Sequence, residues 1–276
     1  MTATRTLSTL LGHEITVFTP DHVGDKIAAH GLYEKENLLL LLALLHRLHE
    51  PVVLDIGANV GNHSLAFATA AAQVHAFEPL PRLYRVLADN VARNHLHHVT
   101  AHHCALSDVE GSDTLYMTLD GNLGASSFDR RSDQVEAVAV NKHVGDDYLR
   151  SIGVQKVDLV KIDVEAHELF VLRGLRATLA RDLPVLTMEW NDPLSLERLR
   201  GSEELAFLQD HYEIRVLGSN YDRGYWQGRP LSFLRRKLTR LLRPRRAVLY
   251  PFDSTQLYKN LLLIPKHRAA LLDALE

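Results

Sequence analysis

The chain of 276 residues contains a single cysteine, Cys104, and no long apolar run. One thiol excludes an intrachain disulfide and a thiolate zinc cluster, and it fits a reducing compartment. The longest uninterrupted apolar run, residues 38–45, is far shorter than the roughly 20 residues of a membrane-spanning helix. The first residues also lack the apolar stretch and the cleavage site of a secretory signal. We therefore expect a soluble, cytoplasmic protein.

The chain also has little net charge, −3 at neutral pH, so the whole molecule is not an electrostatic trap for nucleic acid. Residues 229–246 are the exception, because they carry eight basic side chains and no acidic one. The remainder of the chain is clearly acidic. We expect any anionic partner to meet that basic segment, and we expect no nucleic acid partner.

From residue 51 onward, short apolar runs alternate with segments of helical periodicity, a pattern typical of βαβ units and a parallel sheet. The runs are continuous in Val, Leu and Ile, as in strands that helices cover on both faces. Strands are predicted at 52–56, 73–77, 98–104, 157–162 and 184–188. We predict one α/β domain over residues 51–276, preceded by an N-terminal extension, residues 1–50, with a lead-in helix at 34–49.

Two segments interrupt this rhythm. Residues 105–145 form an insertion, in which 114–119 and 135–140 are predicted to pair as a hairpin around a Gly-containing loop. Residues 218–252 are irregular and basic, and they lie between two further predicted strands. We expect antiparallel elements at the C-terminal edge of the sheet and a basic cap segment beside them.

The first predicted strand ends in a turn with two glycines, Asp55-Ile56-Gly57-Ala58-Asn59-Val60-Gly61. Ligands of open α/β sheets bind outside the carboxyl ends of the strands, so this turn is a ligand platform. A dinucleotide fingerprint needs glycine at its first, third and sixth positions, and only Gly57 meets that requirement. Asp55 would repel a phosphate here, whereas it would attract an ammonium group.

The second predicted strand ends at Glu78, 23 residues after Asp55. A carboxylate at this place can accept both hydrogen bonds of a ribose diol. The turn and Glu78 together predict a nucleoside with a positively charged tail and no phosphate. S-adenosylmethionine is the common ligand of that description.

These residues belong to a larger pattern, by which the chain resembles the FkbM family of S-adenosylmethionine-dependent methyltransferases from about residue 30 to 265. The glycine turn is shared by many methyltransferases, whereas the Lys-Ile-Asp-Val-Glu block is far more particular to this family. The matching residues are Tyr33-Glu34, the 55–61 turn, Phe77-Glu78-Pro79, Ala105-Leu106-Ser107-Asp108 with Gly111, and Leu159-Val160-Lys161-Ile162-Asp163-Val164-Glu165 with Glu168 and Gly174.

The resemblance implies a Rossmann-like class I methyltransferase fold, with a seven-stranded, mostly parallel sheet whose last strand is antiparallel. It implies S-adenosylmethionine as the cofactor and O-methylation of a hydroxyl on a sugar, glycolipid or secondary metabolite. Asp55 and Glu34 would attract the ammonium group of the cofactor, Glu78 would hold the ribose, and Ala105 would lie near the adenine. The cofactor-binding residues implied in this way are Glu34, Asp55, Gly57, Ala58, Asn59, Gly61, Glu78 and Ala105.

Methyl transfer from a sulfonium is an in-line displacement, so positioning of the acceptor oxygen supplies most of the catalysis, and a base removes the hydroxyl proton. Candidates for that base lie at or just beyond the ends of the fourth and fifth predicted strands. They are Asp163, Glu165, His167 and Glu189, taken as a group. One position departs from the family, which usually has glycine where this chain has Ala166. If that position takes a positive φ, alanine carries a steric cost.

Three alternatives stay open. A metal-assisted, catechol-type O-methyltransferase could use the oxygen ligands of Asp163, Glu189, Asn191 and Asp192, although we expect no metal. A non-enzymatic S-adenosylmethionine-binding protein on the same fold is the second. A nucleic-acid methyltransferase is the third and is disfavoured by the negative charge of the chain outside the basic segment.

Glu168 is expected to favour a helix N-terminus through its charge. The histidines at 95–98 and 102–103 are interpreted as surface residues rather than a metal tract.

The basic segment predicts an amphipathic helix that Pro244 ends. Its apolar stripe is Leu231, Leu234, Leu238 and Leu241, and its basic face is Arg236, Arg240 and Arg243. Such a helix packs on the core through its leucines, or it contacts an anionic lipid through residues 231–246. With Tyr221, Tyr225 and Trp226 it is expected to cap the acceptor site. The acceptor, a small molecule or glycan, and the oligomeric state stay open.

Overall fold

The computed structural model describes residues 3–118, 126–130, 133, 135–222, 236–239, 243–273 and 275. The strands are β1 (Ala3–Ser8), β2 (Glu14–Thr19), β3 (Val52–Ile56), β4 (Gln73–Phe77), β5 (Val99–His102), β6 (Ala105–Ser107), β7 (Gly111–Thr118), β8 (Val135–Val144), β9 (Leu159–Ile162), β10 (Val185–Trp190), β11 (Tyr212–Ser219), β12 (Ala247–Pro251) and β13 (Tyr258–Pro265).

The helices lie between these strands and at the C-terminal end. They are α1 (His22–His30), α2 (Lys35–Leu45), α3 (Asn62–Phe67), α4 (Pro81–Arg93), α5 (Gly145–Ser151), α6 (Glu168–Gly174), α7 (Arg176–Asp182), α8 (Pro193–Leu199) and α9 (Glu203–His211), with a 3₁₀ turn at Lys266–Arg268 and a short helix at Ala270–Asp273. The lead-in helix predicted at 34–49 therefore corresponds to α2 and ends earlier. None of the helices in the described ranges is both long and apolar enough to cross a bilayer.

The central sheet has the strand order β12-β11-β13-β10-β9-β3-β4-β5 in the described part of the chain. The strands from β10 to β5 are parallel to one another, and β13 runs antiparallel between β10 and β11. This order confirms the predicted class I methyltransferase fold, with an antiparallel last strand. The sheet has eight strands rather than seven, because β12 pairs antiparallel with β11 at the edge. The prediction that the whole of 218–252 is irregular is therefore wrong for β12.

The continuous apolar runs of the parallel strands have a direct explanation in the packing. Val53 packs in one hydrophobic core with Leu42 of α2, whereas its neighbour Leu54 packs in another core with Leu172 of α6. Successive side chains of a strand point to opposite faces, so both faces of β3 are buried. Helices therefore cover the sheet on both sides, as the sequence predicted.

The N-terminal segment is bonded to the sheet domain. β1 and β2 form a hairpin, and the buried side chains of Ile15 and Val17 pack in a core shared with Val60. Asn90 of α4 accepts a hydrogen bond from the Thr16 amide at 2.7 Å and donates to the carbonyls of Thr16 at 3.0 Å and Val60 at 2.8 Å. A single amide side chain thus joins the N-terminal hairpin to the glycine turn.

The insertion contains the predicted hairpin, in a longer form. β7 pairs antiparallel with β8, and β6 pairs parallel with β8, which gives a small three-stranded sheet. Residues 126–130 lie back against β7, where Tyr116 and Ser127 exchange two backbone hydrogen bonds of 2.8 and 3.1 Å. This return brings the end of the insertion loop to the carboxyl edge of the central sheet.

The basic segment is described only in part. Residues 236–239 form a helical turn in which Leu238 is 53% exposed, and the Tyr221 hydroxyl donates to the Arg243 carbonyl at 2.7 Å. The other members of the predicted stripe and cap lie outside the described residues: Leu231, Leu234, Leu241, Arg240, Tyr225 and Trp226. The amphipathic helix and its contacts with core or lipid therefore stay predictions.

Candidate active site

A pocket with about 1060 Å³ of empty space, part of it open to solvent, lies at the carboxyl ends of the parallel strands. Its wall toward β4 and β5 contains Phe77, Glu78 and Ala105, and its wall toward β9 and β10 contains Asp163 and Glu189. The glycine turn after β3 lies between the two. The predicted site residues that line this pocket are Gly57, Ala58, Asn59, Glu78, Ala105, Asp163, Glu165, His167 and Glu189.

The glycine turn is shaped by backbone contacts. Gly57 has a φ of 80°, and a Cβ added there would lie 1.8 Å from the backbone oxygen of Asp163. The amides of Gly57 and Ala58 both donate to the Phe77 carbonyl, at 3.0 and 2.9 Å. Gly61, with a φ of 94°, precedes α3 and packs against Leu87. Glycine is required at 57 because two neighbouring strands end so close to this turn.

Asp55 is fully buried, below the turn rather than at the pocket surface. Its carboxylate accepts a hydrogen bond of 2.5 Å from Ser64 and lies 3.1 Å from the Lys161 ammonium. Burial alone would raise the pKa of Asp55, but the Lys161 charge and the Ser64 hydroxyl hold it below its ordinary value. Lys161 thus supplies a positive charge to Asp55 from within the protein, and the contact of Asp55 with the ammonium of a ligand stays a prediction.

Lys161 is itself a buried connecting residue. Besides Asp55, its ammonium donates to the Gly57 carbonyl at 2.8 Å and lies 3.5 Å from the Asp163 carboxylate. Burial works against the charge, but these carboxylates raise the pKa of Lys161 above its ordinary value. The lysine of the Lys-Ile-Asp-Val-Glu block therefore joins the turn after β3 to the first carboxylate after β9.

Glu34 also lies behind the main pocket, in a small adjoining cavity. It accepts a hydrogen bond from Asn260 at 2.8 Å, and its carboxylate lies 2.7 Å from the Lys259 ammonium and 3.6 Å from His63. Burial opposes ionisation, but Lys259 and His63 lower the pKa of Glu34 overall. The partners of Glu34 within the protein come from β13 and α3, and its contact with the ligand stays a prediction.

Tyr33 instead reaches the main pocket. Asn62, the first residue of α3, accepts a hydrogen bond from the Tyr33 amide at 3.0 Å and donates to its carbonyl at 3.2 Å. Sequence reasoning placed Asn62 only as a mismatch to a dinucleotide fingerprint. Its amide in fact fixes the segment before α2 against the glycine turn.

Glu78 is buried at the pocket wall and is held by two backbone amides. One carboxylate oxygen accepts from Asn59 at 2.9 Å and the other from Leu80 at 2.9 Å. Burial raises the pKa of Glu78 to about 7, although these amides act in the opposite direction. Each oxygen retains a second lone pair, so the ionised group can accept two further hydrogen bonds from a diol.

The four candidate catalytic residues all line the pocket, so the structure brings them together. Burial, followed by the charges of Asp163 and Glu165, raises the pKa of Glu189 above its ordinary value. Glu189 and Asp163 also share a hydrogen bond, so these two carboxyl groups act as a pair. Asp163 and Glu165 are the other two carboxylates among the candidates for the base.

His167 has a different surrounding. Its Nε2 lies 3.0 Å from the Ser107 hydroxyl, and its ring packs between Phe128 at 4.5 Å and Phe170 at 4.7 Å. Burial, with the nearby charges of Lys142 and Arg198, lowers the pKa of His167 to about 4. A ring with so low a pKa accepts a proton weakly, and its Nε2 already has the Ser107 hydroxyl as its hydrogen-bond partner. Both facts favour a role in the pocket wall over that of a base.

The turn after β9 has left-handed backbone at two successive residues, with φ values of 50° at Glu165 and 76° at Ala166. The positive φ considered for Ala166 is therefore present. Glu168 is buried and accepts from the Ala166 amide at 3.3 Å and from the Ser195 hydroxyl at 2.6 Å. Glu168 is the first residue of α6, as expected for a helix N-terminal carboxylate, and it also holds this turn.

The interpretation of the histidines at 95–98 and 102–103 as surface residues is wrong for His102. His102 is buried, stacks on Phe77 with ring centroids 4.6 Å apart, and pairs with His75 at 3.1 Å. Burial lowers the pKa of His102 to about 4. It supports the pocket wall from behind because Phe77 lines that wall. Among the residues that the structure describes, no group of three or more His, Cys, Asp or Glu side chains has the arrangement of a metal site.

The sheet order and this pocket at its carboxyl edge define a Rossmann-like class I methyltransferase. Comparison with known proteins narrows that class: residues 55–225 match the methyltransferase FkbM domain, so the chain belongs to the FkbM family. The family indicated by the Lys-Ile-Asp-Val-Glu block is thus confirmed.

Two curated relatives are similar over part of the chain. A methyltransferase of Sordaria araneosa is 33% identical in an alignment over 156 residues that covers 45% of this chain and 60% of that protein. A hexuronic acid methyltransferase of Haloferax volcanii is 28% identical over 158 residues, which are 57% of this chain and 63% of that protein. The chain therefore spans about three-fifths of the length of these relatives.

Solved structures are similar at a lower level. The methyltransferase FkbM of Methylobacillus flagellatus has a TM-score of 0.44 at 16% identity, covering 78% of this chain and 43% of that chain. An O-methyltransferase of Bacillus cereus, crystallised in complex with SAH, has a TM-score of 0.45 at 12% identity, covering 88% of this chain and 89% of that chain.

Proposed function

We propose that the chain is an S-adenosylmethionine-dependent O-methyltransferase that acts on a hydroxyl of a sugar, glycolipid or secondary metabolite. The observation that carries the proposal is the joint position of Glu78 and the 163–165 carboxylates on opposite walls of one pocket, with the glycine turn between them. Membership in the FkbM family supports the same activity.

The residues present fit a nucleoside cofactor of this kind. The buried Glu78 carboxylate has lone pairs free for a ribose diol, and Ala105 leaves space for a base beside Phe77. Gly57 and Asn59 would lie along the methionine portion. When bound, the cofactor supplies the methyl group on a positively charged sulfur.

The protein's own residues then position and deprotonate the acceptor. Asp163 or Glu165 would accept the proton of the acceptor hydroxyl. Glu189, which shares a hydrogen bond with Asp163, would orient that carboxylate or the acceptor.

A sugar acceptor is favoured by the relative from Haloferax volcanii, which is a hexuronic acid methyltransferase. The basic segment, which includes Arg236 and Arg243, supports a capping role at an anionic glycolipid or carrier-linked sugar.

The second candidate function is that of a non-enzymatic cofactor-binding protein. Such a protein would bind the same ligand but would transfer no methyl group.

Calorimetric titration with S-adenosylhomocysteine tests the cofactor. We expect binding by the wild type and a loss of at least about tenfold in affinity for Glu78→Gln, because the neutral amide is a weaker acceptor for the diol. Glu110→Gln is the matched control, since Glu110 is 63% exposed and pairs with His143 outside the pocket. The absence of binding at millimolar ligand would contradict both candidate functions.

Binding without catalysis is distinguished by mass spectrometry. Glycolipids and metabolites extracted from cells that contain or lack the gene are compared for a species that loses one methyl group in the deletion strain. Such a species supports the enzyme and identifies its acceptor. Binding of the cofactor with no such species, and no transfer of labelled methyl to the extract, favours the non-enzymatic protein.

A further inference from the structure

Arg198 of α8 connects two separate parts of the pocket wall. Its guanidinium forms a bidentate ion pair with Asp129, with both N–O distances 2.9 Å, and also donates to the Ala166 carbonyl at 2.7 Å. Asp129 belongs to the returning end of the insertion loop, and Ala166 belongs to the turn after β9. One planar side chain thus fixes the distance between elements that come from distant parts of the sequence.

A second contact joins the same two elements. The Ser127 hydroxyl donates to the Glu165 carbonyl at 2.9 Å, and the Asp129 amide donates to the Ser127 hydroxyl at 3.2 Å. The carbonyls of Glu165 and Ala166, the two left-handed residues, are therefore each held by a group of the loop or by its ion-pair partner. Phe128 of that loop packs on His167 and lines the pocket beside Glu165.

The left-handed backbone of the Glu165–Ala166 turn explains why these contacts are needed. Ala166 is buried at a φ of 76°, a conformation that alanine adopts at a steric cost and that the family usually assigns to glycine. A charge-assisted hydrogen bond to its carbonyl opposes relaxation of the turn. Relaxation would move the adjoining Glu165, one of the two carboxylates able to act as the base.

We propose that Arg198 is a positioning residue, which holds the Glu165–Ala166 turn and the 126–130 loop in register so that Glu165 and Phe128 together form the acceptor wall. This rests on the proposed function for the meaning of that wall. The contacts themselves do not depend on it. The proposal extends the site to a residue that no motif in the sequence singled out.

Amide hydrogen exchange on the full chain tests the contacts directly. The amides of Ser127 and Asp129 report on the loop, and the His167 amide, which donates to Val164, reports on the turn. Arg198→Gln should raise exchange at all three by about tenfold or more. Asp129→Asn should raise it in the loop only, because Arg198 keeps its bond to the Ala166 carbonyl. Arg150→Gln, which removes an exposed ion pair with Asp147 elsewhere, should change none of them.

A comparison of Arg198→Gln in two backgrounds tests whether the backbone strain at Ala166 makes the arginine necessary. In an Ala166→Gly background the turn needs less support, so Arg198→Gln should raise exchange at His167 by a clearly smaller factor than in the wild type. An equal factor in both backgrounds, or no change in either, would overturn the proposed role of Arg198.

The catalytic consequence is measured separately. For Arg198→Gln we expect the affinity for S-adenosylhomocysteine to change by less than about threefold, since Glu78 and the glycine turn are untouched, while kcat with the identified acceptor falls by about tenfold or more. Weakened cofactor affinity with unchanged kcat would contradict the proposal. Should the wild type not bind the cofactor at all, the proposed function fails, whereas the exchange measurements still decide whether Arg198 holds the turn.

Discussion

The two walls of the pocket are built in different ways. The wall toward β4 and β5, with the glycine turn beside it, is defined by short backbone contacts within two consecutive βα units, such as the amides of Gly57 and Ala58 on the Phe77 carbonyl. The wall toward β9 and β10 is defined by side chains from distant elements, above all Arg198 with Asp129. The first wall is therefore fixed by the fold itself, whereas the second depends on replaceable side-chain bonds. In the proposed function, the first wall recognises the cofactor and the second recognises the acceptor.

The sharpest test of the backbone-defined wall is Gly57→Ala. An added methyl would lie 1.8 Å from the Asp163 oxygen, a backbone atom that cannot move without shifting β9. We expect the free energy of unfolding to fall by more than about 4 kcal/mol, a size that few single substitutions reach. Chemical denaturation measures it.

Gly153→Ala is the matched control. Gly153 has nearly the same backbone, with a φ of 81°, but an added Cβ would meet nothing within 4 Å. Only the conformational cost remains, about 1–2 kcal/mol. Equal losses in the two variants would show that the left-handed conformation, and not the close approach of β9, makes glycine necessary at 57.

The difference between the walls also explains what could be predicted from the sequence. The strand, the turn and Glu78 follow one another within the 27 residues from Val52 to Glu78, so periodicity and spacing were sufficient to place them. The pairing of Asp55 with Lys161 spans 106 residues and depends on β9 lying beside β3. A local pattern carries no signal of that pairing, so Lys161 was not predicted as the partner of Asp55.

The same reasoning applies to the second wall. The carboxylates after β9 and near the end of β10 were placed correctly at the pocket because parallel strands end at one edge of a sheet. Their protonation was not predictable, since the pKa of Glu189 depends on its burial next to Asp163. Arg198 was missed because a lone arginine on a short helix has no distinguishing spacing. The edge strand β12 was missed because five residues beside a basic, proline-containing stretch give too little periodicity.

Lys161 is the residue that connects the two walls. Its replacement should lower the free energy of unfolding by less than Gly57→Ala does, but by more than the loss of any other single contact described above. Lys161→Met leaves the fully buried Asp55 carboxylate without its opposite charge. We expect a loss of about 3–5 kcal/mol in the free energy of unfolding, the range for breaking a buried ion pair.

Removal of both charges sharpens this prediction. In Asp55→Asn with Lys161→Met, the fully buried charge is gone and only the partly exposed Asp163 lacks its partner, so the double variant should regain part of the stability lost by Lys161→Met alone. If the two losses simply add, the lysine acts through Gly57 and Asp163 and not through Asp55. Calorimetric unfolding of the three variants decides between these cases.

The smallest expected effect is a dependence of cofactor affinity on pH, and it belongs to the backbone-defined wall alone. Because burial raises the pKa of Glu78 to about 7, its ionised form, the better acceptor for a ribose diol, grows from a minority at pH 6 to a majority at pH 8. The affinity for S-adenosylhomocysteine should rise by about tenfold over that interval. Calorimetric titration at several pH values measures it.

The stability of the ligand-free protein should depend on pH with the opposite sign, falling as the pH rises. The folded state holds the Glu78 proton more tightly than the unfolded state, whose carboxyl has a pKa near 4.5. The resulting contribution to stability is fully present below about pH 4.5 and is lost as the pH rises through about 7. Glu78→Gln removes both dependences together, because the amide does not titrate. Retention of the pH-dependent affinity in that variant would assign it to a carboxylate of the other wall, and the division of the pocket into two independently built halves would fail.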